Sequence, residues 1–182
     1  MKPAIAAFMT VMVSLISARQ MERIINGKNA TQGQFPYQVS WQNCIDSIEM
    51  CLHFCGGSIF NETTIITAAH CCDSFGKPDE YNNIYHWSDS IIVAGVTNLQ
   101  SKYESSFIQY KMIKSLAIHP FYRSINYQYN DICLLTLKSS LVFNQFVQPI
   151  DIDKKKPVAG TKCQLSGWGR QGVNKILVNS FL

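Results

Sequence analysis

Two β-rich runs, His53-Phe54-Cys55-Gly56-Gly57-Ser58-Ile59 and Ile65-Ile66-Thr67-Ala68-Ala69-His70-Cys71, lie a short polar turn apart, Asn61 to Thr64. Apolar and β-branched runs bounded by a turn of this length read as an antiparallel hairpin. Folding back in this way carries Cys55 and Cys71 to the two far ends of the hairpin, where a bridge can form. The runs around the hairpin repeat the pattern. Phe35-Pro36-Tyr37-Gln38-Val39-Ser40-Trp41 opens on a proline that fixes its own φ and then alternates apolar with polar, as a half-buried strand does. Ile91 to Ala94 and Phe107 to Ile118 supply further strands, and Ile132 to Leu137, apolar on both faces, reads as a buried one. The chain is expected to be all-β.

Composition narrows the class of protein. With 47% hydrophobic residues, 15% charged and no low-complexity tract, the chain fits one domain or two small ones. Met1 and Lys2 precede an uncharged apolar stretch from Ala4 that small residues close at Ser17 and Ala18. It is short for a bilayer span and has the layout of a secretory signal peptide, residues 1–18. No other run is long enough for a membrane span, so a soluble, exported protein is expected. The formal charge of +4 is spread out, and Lys154-Lys155-Lys156 is a solvated loop rather than a nucleic-acid site. Seven cysteines in an exported chain argue for disulfides, and the odd number leaves one without a mate in the chain. Cys44 and Cys51 are spaced to close the tip of a hairpin, in a loop that reads most simply as surface. Asn29-Ala30-Thr31 and Asn61-Glu62-Thr63 are acceptor triplets for N-linked sugar in such a protein.

His70 ends the apolar run Thr67-Ala68-Ala69, and Asp131 heads another, Ile132-Cys133-Leu134-Leu135. A histidine after an apolar strand is by itself usually structural. It becomes a general base when a carboxylate accepts its Nδ1 proton, fixes the tautomer and leaves Nε2 free for a hydroxyl. Asp131, at the dry end of a buried strand, would need a donor, and His70 could serve. From its own segment Asp131 is equally an ordinary strand-start or turn aspartate. His53, His86 and His119 have structural explanations, and no histidine or cysteine set has the short ligand spacing of a zinc site.

Taken together, Ile24-Ile25-Asn26-Gly27, Cys55-Gly56-Gly57, Thr67-Ala68-Ala69-His70-Cys71, Asn130-Asp131-Ile132 and Cys163-Gln164-Leu165-Ser166-Gly167-Trp168-Gly169 resemble the trypsin-like (chymotrypsin-fold) serine proteases, in the same order. The resemblance implies a double β-barrel with the N-terminal barrel complete over residues 24–150. A connection follows at 151–162, and the opening strand or strands of the second barrel at 163–182. It makes residues 19–23 an activation peptide, cut between Arg23 and Ile24, though in isolation this stretch is also an ordinary charged loop. His70 and Asp131 become base and orienter, in the order that places the serine last. The glycines at 56 and 57 would let a substrate strand lie close. Cys55 and Cys71 are bonded in the family. If His70 and Asp131 touch, Cys72 and Cys133 are carried together and could bond as well. Cys163 is left unpaired, because its family partner belongs to the second half. His53 matches a position that helps to hold the zymogen. The family's calcium loop fails at Val96, so no calcium, and no other metal or cofactor, is expected.

No Gly-Asp-Ser-Gly-Gly loop occurs in the sequence, and Ser180 lacks the glycines that would shape an oxyanion hole. The chain is therefore expected to be a C-terminally truncated member, inactive alone. Its completed form would be a monomeric endopeptidase with protein or peptide substrates and an activating protease as partners. The alternatives are a short, non-catalytic homologue acting as a binding or decoy protein, and a splice product that does not fold.

Overall fold

The computed structural model describes residues 28–45, 50–77, 86–100, 106–124 and 129–169. Among the described residues six strands form in chain order: β1 (Gln38–Ile45), β2 (Met50–Asn61), β3 (Thr64–Thr67), β4 (Ser90–Ala94), β5 (Gln109–Ile118) and β6 (Cys133–Leu137). The one short helix among the described residues, α1 (Ala69–Asp73), follows β3 directly. All strand pairings are antiparallel, and the order β1-β2-β3-β6-β5-β4 closes on itself, with β4 paired back to β1. Closure leaves no open sheet edge, which removes the row of unpaired backbone groups that an edge strand presents. No helix among the described residues is long and apolar enough to cross a membrane.

Inward-facing residues fill the barrel. Val39 and Trp41 of β1, Ile59 of β2, Ile65 of β3, Ile92 of β4, Ile113 of β5 and Leu135 of β6 all sit within the buried cluster. Trp41 is also satisfied at its polar end: its indole N–H donates to Ser90 Oγ at 2.8 Å, and that hydroxyl donates to the Trp87 carbonyl at 2.7 Å. A buried indole N–H needs such a partner; Ser90, the first residue of β4, supplies it, and the preceding 3-10 turn Trp87–Asp89 supplies the carbonyl that orients the hydroxyl.

Two local features sharpen the expectations. The glycine at 57 answers to the barrel's own packing: a Cβ there would lie 2.7 Å from Ile65 Cγ2 and 3.0 Å from the Ile66 carbonyl oxygen. Close approach of β3 therefore requires the missing Cβ at 57. β6 is also not apolar and buried on both faces. Cys133, Leu135 and Leu137 point into the core, while Leu134 is 41% exposed on the outer surface.

Three disulfides reinforce the barrel. Cys44–Cys51 ties β1 to β2 across the tip of their hairpin, Cys55–Cys71 ties β2 to α1, and Cys72–Cys133 ties α1 to β6. Beyond the barrel, residues 151–169 run without regular structure and are largely exposed. Cys163 to Gly169, expected as an opening strand, makes no strand pairing among the described residues. It docks by side chains instead. Trp168 is buried, its ring packs on His53 with centroids 5.1 Å apart, and its N–H donates to the Thr97 carbonyl at 3.1 Å. Ser166 Oγ donates to Gln38 Oε1 at 2.7 Å beside it.

Candidate active site

The end of β3 sets the position of His70. Thr67 Oγ1 donates to the Gly56 carbonyl at 2.7 Å, pinning the last strand residue to β2. Ala68 is still extended, at φ −80° and ψ 145°, and the helical turn begins at Ala69. Ala69 is buried and His70, next in the turn, is exposed. Cys71 and Cys72 are buried and bridged to two different strands, so the turn is held on both sides. Small residues at 68 and 69 fit the tight passage from strand to helix.

Asp131 arrives from the neighbouring strand, since β6 pairs with β3 and sets Cys133 opposite Thr67. Asn130 has φ 53°, a left-handed conformation that asparagine tolerates better than most residues, and the Ile132 N–H donates back to its carbonyl at 2.7 Å. This turn sets Asp131 just before β6. Both carboxylate oxygens engage one residue: Oδ1 accepts the backbone N–H of His70 at 2.8 Å, and Oδ2 accepts from His70 Nδ1 at 2.8 Å. An ionised carboxylate can only accept, so Nδ1 carries a proton, and in the neutral tautomer this fixes, Nε2 holds the free lone pair. Among the described residues nothing bonds Nε2.

The pair is more open than a dry strand end implies. The His70 side chain is 48% exposed and that of Asp131 23%. Asp131 lies in the turn ahead of β6, whose first residue is Cys133, so the buried strand does not enclose it. Partial burial pushes the Asp131 carboxyl up, but the bonds from the His70 ring and backbone, the charge of His70 and the Ala69 N–H outweigh it. The net displacement is below the ordinary carboxylate range. Asp131 is therefore ionised at neutral pH and orients the imidazole as a fixed acceptor.

His53 is built differently. Its Nδ1 lies 2.8 Å from Ser40 Oγ, Trp168 covers its ring, and burial lowers its pKa from 6.5 to about 4. It is a neutral, structural imidazole. His119 is also locally engaged, with Nδ1 accepting the Phe121 N–H at 3.2 Å. Cys55, His70 and Cys71 bring ligand-type atoms within 4.8 Å of one another, but the two sulfurs are bonded to each other and have no thiolate to offer a metal. Cys163 is exposed and unbridged. The proposed cleavage residues Arg23 and Ile24, and Ser180, lie outside the described residues.

A closed antiparallel barrel with a histidine and an aspartate joined at its mouth is the setting in which comparison with known proteins decides the family. The family model described as Trypsin matches residues 24–180. The chain belongs to the trypsin family. Over 158 residues, 85% of this chain, it is 35% identical to coagulation factor IX of Oryctolagus cuniculus and covers 50% of that protein's length. It is 36% identical over 150 residues to trypsin-1 of Astacus astacus, which is 80% of this chain and 56% of that protein. The chain thus spans about half the length of the relatives it matches. The all-β architecture with a closed six-stranded barrel agrees with one barrel of the chymotrypsin fold.

Sequence reasoning did not find two local relations within this trypsin-family barrel. Ser40, an ordinary polar position in an alternating strand, turns out to be fully buried beside His53. Tyr122 packs against the core, and its phenol is held above the ordinary range by desolvation and by the negative fields of Asp131 and Asp73. No spacing rule links Ser40 with His53 or Tyr122 with Asp131: the first relation is made across the β1–β2 hairpin and the second where β5 turns into β6.

Proposed function

We propose that these residues form the base-bearing half of a secreted trypsin-like serine endopeptidase made as a zymogen and cut between Arg23 and Ile24. The observation that carries the reading is the Nδ1–Oδ2 contact of 2.8 Å between His70 and Asp131, with Nε2 left open. A hydroxyl brought within hydrogen-bond reach of Nε2 gives up its proton there as its oxygen attacks a peptide carbonyl. Asp131 stabilises the imidazolium that results, and His70 then returns the proton to the leaving amine. The serine and the oxyanion donors of this reaction belong to a Gly-Asp-Ser-Gly-Gly loop that the 182 residues do not contain. In the complete protease a second barrel supplies them.

Sequencing the transcript past the codon for Leu182 is the first test, and an in-frame Gly-Asp-Ser-Gly-Gly supports the proposal. The second is to label the secreted, activated product with a fluorophosphonate probe and compare peptide hydrolysis with its Asp131→Asn form. Loss of the charge that fixes the tautomer lowers kcat by about 10⁴-fold, with binding little changed. An unlabelled secreted product, or a verified stop after Leu182, sinks the enzyme reading in favour of a non-catalytic binding or decoy homologue.

A further inference from the structure

The two Asn-X-Thr triplets differ in geometry. At the tip of the β2–β3 hairpin, Asn61 Oδ1 accepts the Thr63 backbone N–H at 3.0 Å and the Thr63 hydroxyl at 3.3 Å. This closes an Asx turn over Glu62, which is exposed. Donors on an amide oxygen draw electron density from its nitrogen and make the Nδ2 protons easier to lose. No hydrogen bond among the described residues engages Nδ2 itself. The turn is supported through its backbone, because the Leu137 N–H donates to the Thr63 carbonyl and the Leu141 N–H to the Glu62 carbonyl, each at 2.8 Å. At the other triplet, Asn29 is exposed, but the N–H and hydroxyl of Thr31 both go to Gln34 Oε1, at 2.9 and 3.4 Å. Thr31 therefore has nothing left for Asn29.

We propose that Asn61, in preference to Asn29, is the site of an N-linked oligosaccharide. Nδ2 attacks C1 of a sugar carried on a polyprenyl diphosphate. The N–C1 bond forms, the C1–O bond to the diphosphate breaks, and one Nδ2 proton leaves with the departing polyprenyl diphosphate. The reaction precedes folding, so the local preference of Asn61-Glu62-Thr63 for the Asx turn acts on the nascent chain, and the hairpin tip then accommodates the product. β3 separates this tip from the turn that bears His70 by four residues, about 13 Å of strand, so the attachment point lies at the far end of β3 from His70.

The acceptor assignment rests on export of the chain, since the sugar donor belongs to the secretory compartment. The full chain is expressed in animal cells in two forms, with its own leader and with a proven secretory leader. Each product is treated with a peptide-N-glycosidase in heavy-oxygen water, and converted asparagines are located by mass mapping. Conversion of Asn61 above that of Asn29, and loss of the mobility shift in both Asn61→Gln and Thr63→Ala, is the expected result. Modification with the substituted leader but not with the native one refutes export and leaves the acceptor assignment standing. An unmodified Asn61 behind the proven leader, or higher occupancy at Asn29, overturns the assignment. Because both asparagines are mapped in the unsubstituted chain, this outcome does not depend on whether the variants fold.

Discussion

His53 and His70 carry the same side chain and use the same ring atom, Nδ1, toward an oxygen 2.8 Å away, yet the barrel treats them in opposite ways. For His53 the partner is the buried hydroxyl of Ser40, Trp168 closes over the ring, and burial drives the pKa down to about 4. For His70 the partner is an ionised carboxylate and the ring stands half in solvent. One histidine is fixed by packing. The other is fixed by a charge in front of it and by disulfides at the two residues that follow. The difference teaches that one barrel fixes an imidazole in two ways, by enclosure with a neutral partner at His53 and by an ionised acceptor at Nδ1 of His70.

The largest expected effect removes what holds the His70 side of this pair. Cys72–Cys133 joins residues 61 apart in sequence, Cys55–Cys71 residues 16 apart and Cys44–Cys51 residues 7 apart. If constraint of the unfolded chain sets their worth, the costs of removal are about 4, 3 and 2 kcal/mol respectively. Paired Cys→Ala variants in urea denaturation give the order directly. Removing Cys72–Cys133 should also disturb the His70 Nδ1–H resonance by proton NMR and leave that of His53 in place. Equal losses across the three pairs would break the loop-length account, and an unmoved His70 resonance would show that Asp131 alone holds the ring.

The second effect belongs to His53 and depends on pH. Its folded pKa of about 4 lies below the ordinary value of 6.5. Above pH 6.5 both states are neutral and the group contributes no pH dependence. As pH falls, the unfolded chain takes up the proton first, so stability is lost between 6.5 and about 4 and levels off below. The span corresponds to roughly 3 kcal/mol. In His53→Gln, which cannot titrate, this part of the slope should vanish, so the stability difference between the two proteins narrows on acidification. A constant difference from neutral pH to about pH 4 would mean that the ring is protonated in the folded protein and that its burial is incomplete.

How much of this was legible in the sequence follows from which interactions are local. The β2–β3 hairpin, the alternating β1 and the run that became β6 were visible because each strand writes its own pattern. His70 and Asp131 could be paired because resemblance supplied the contact; nothing in either segment specifies that β3 and β6 lie side by side and bring the two within 2.8 Å. The openness of Asp131 was not readable, since the apolar run begins one residue later and the left-handed Asn130 moves the carboxylate out of line with it. The exposure of Leu134 was hidden for a related reason. A strand with apolar residues on both faces reads as buried, and only closure of the barrel decides which face has a cover. At Gly57 the missing Cβ records a close neighbour without naming it, and within the barrel that neighbour is Ile65.

The smallest effect tests the lid on His53. Trp168 contributes both a ring that excludes water from the imidazole and an N–H that donates to the Thr97 carbonyl at 3.1 Å. Trp168→Phe keeps a ring and deletes the donor, which should cost about 1 kcal/mol, the net worth of one hydrogen bond. Since shielding persists, the acid-side slope of stability should stay close to that of the parent. Trp168→Ala removes both functions, so the desolvation that lowers the His53 pKa weakens and the pH midpoint of the loss moves up toward 6.5. If the two variants shift the midpoint equally, the hydrogen bond to Thr97 is what seats residues 163–169 and the ring covers His53 only as a consequence. If neither shifts it, the burial of His53 comes from β1 and β2 alone, and the contrast between the two histidines is complete within the barrel.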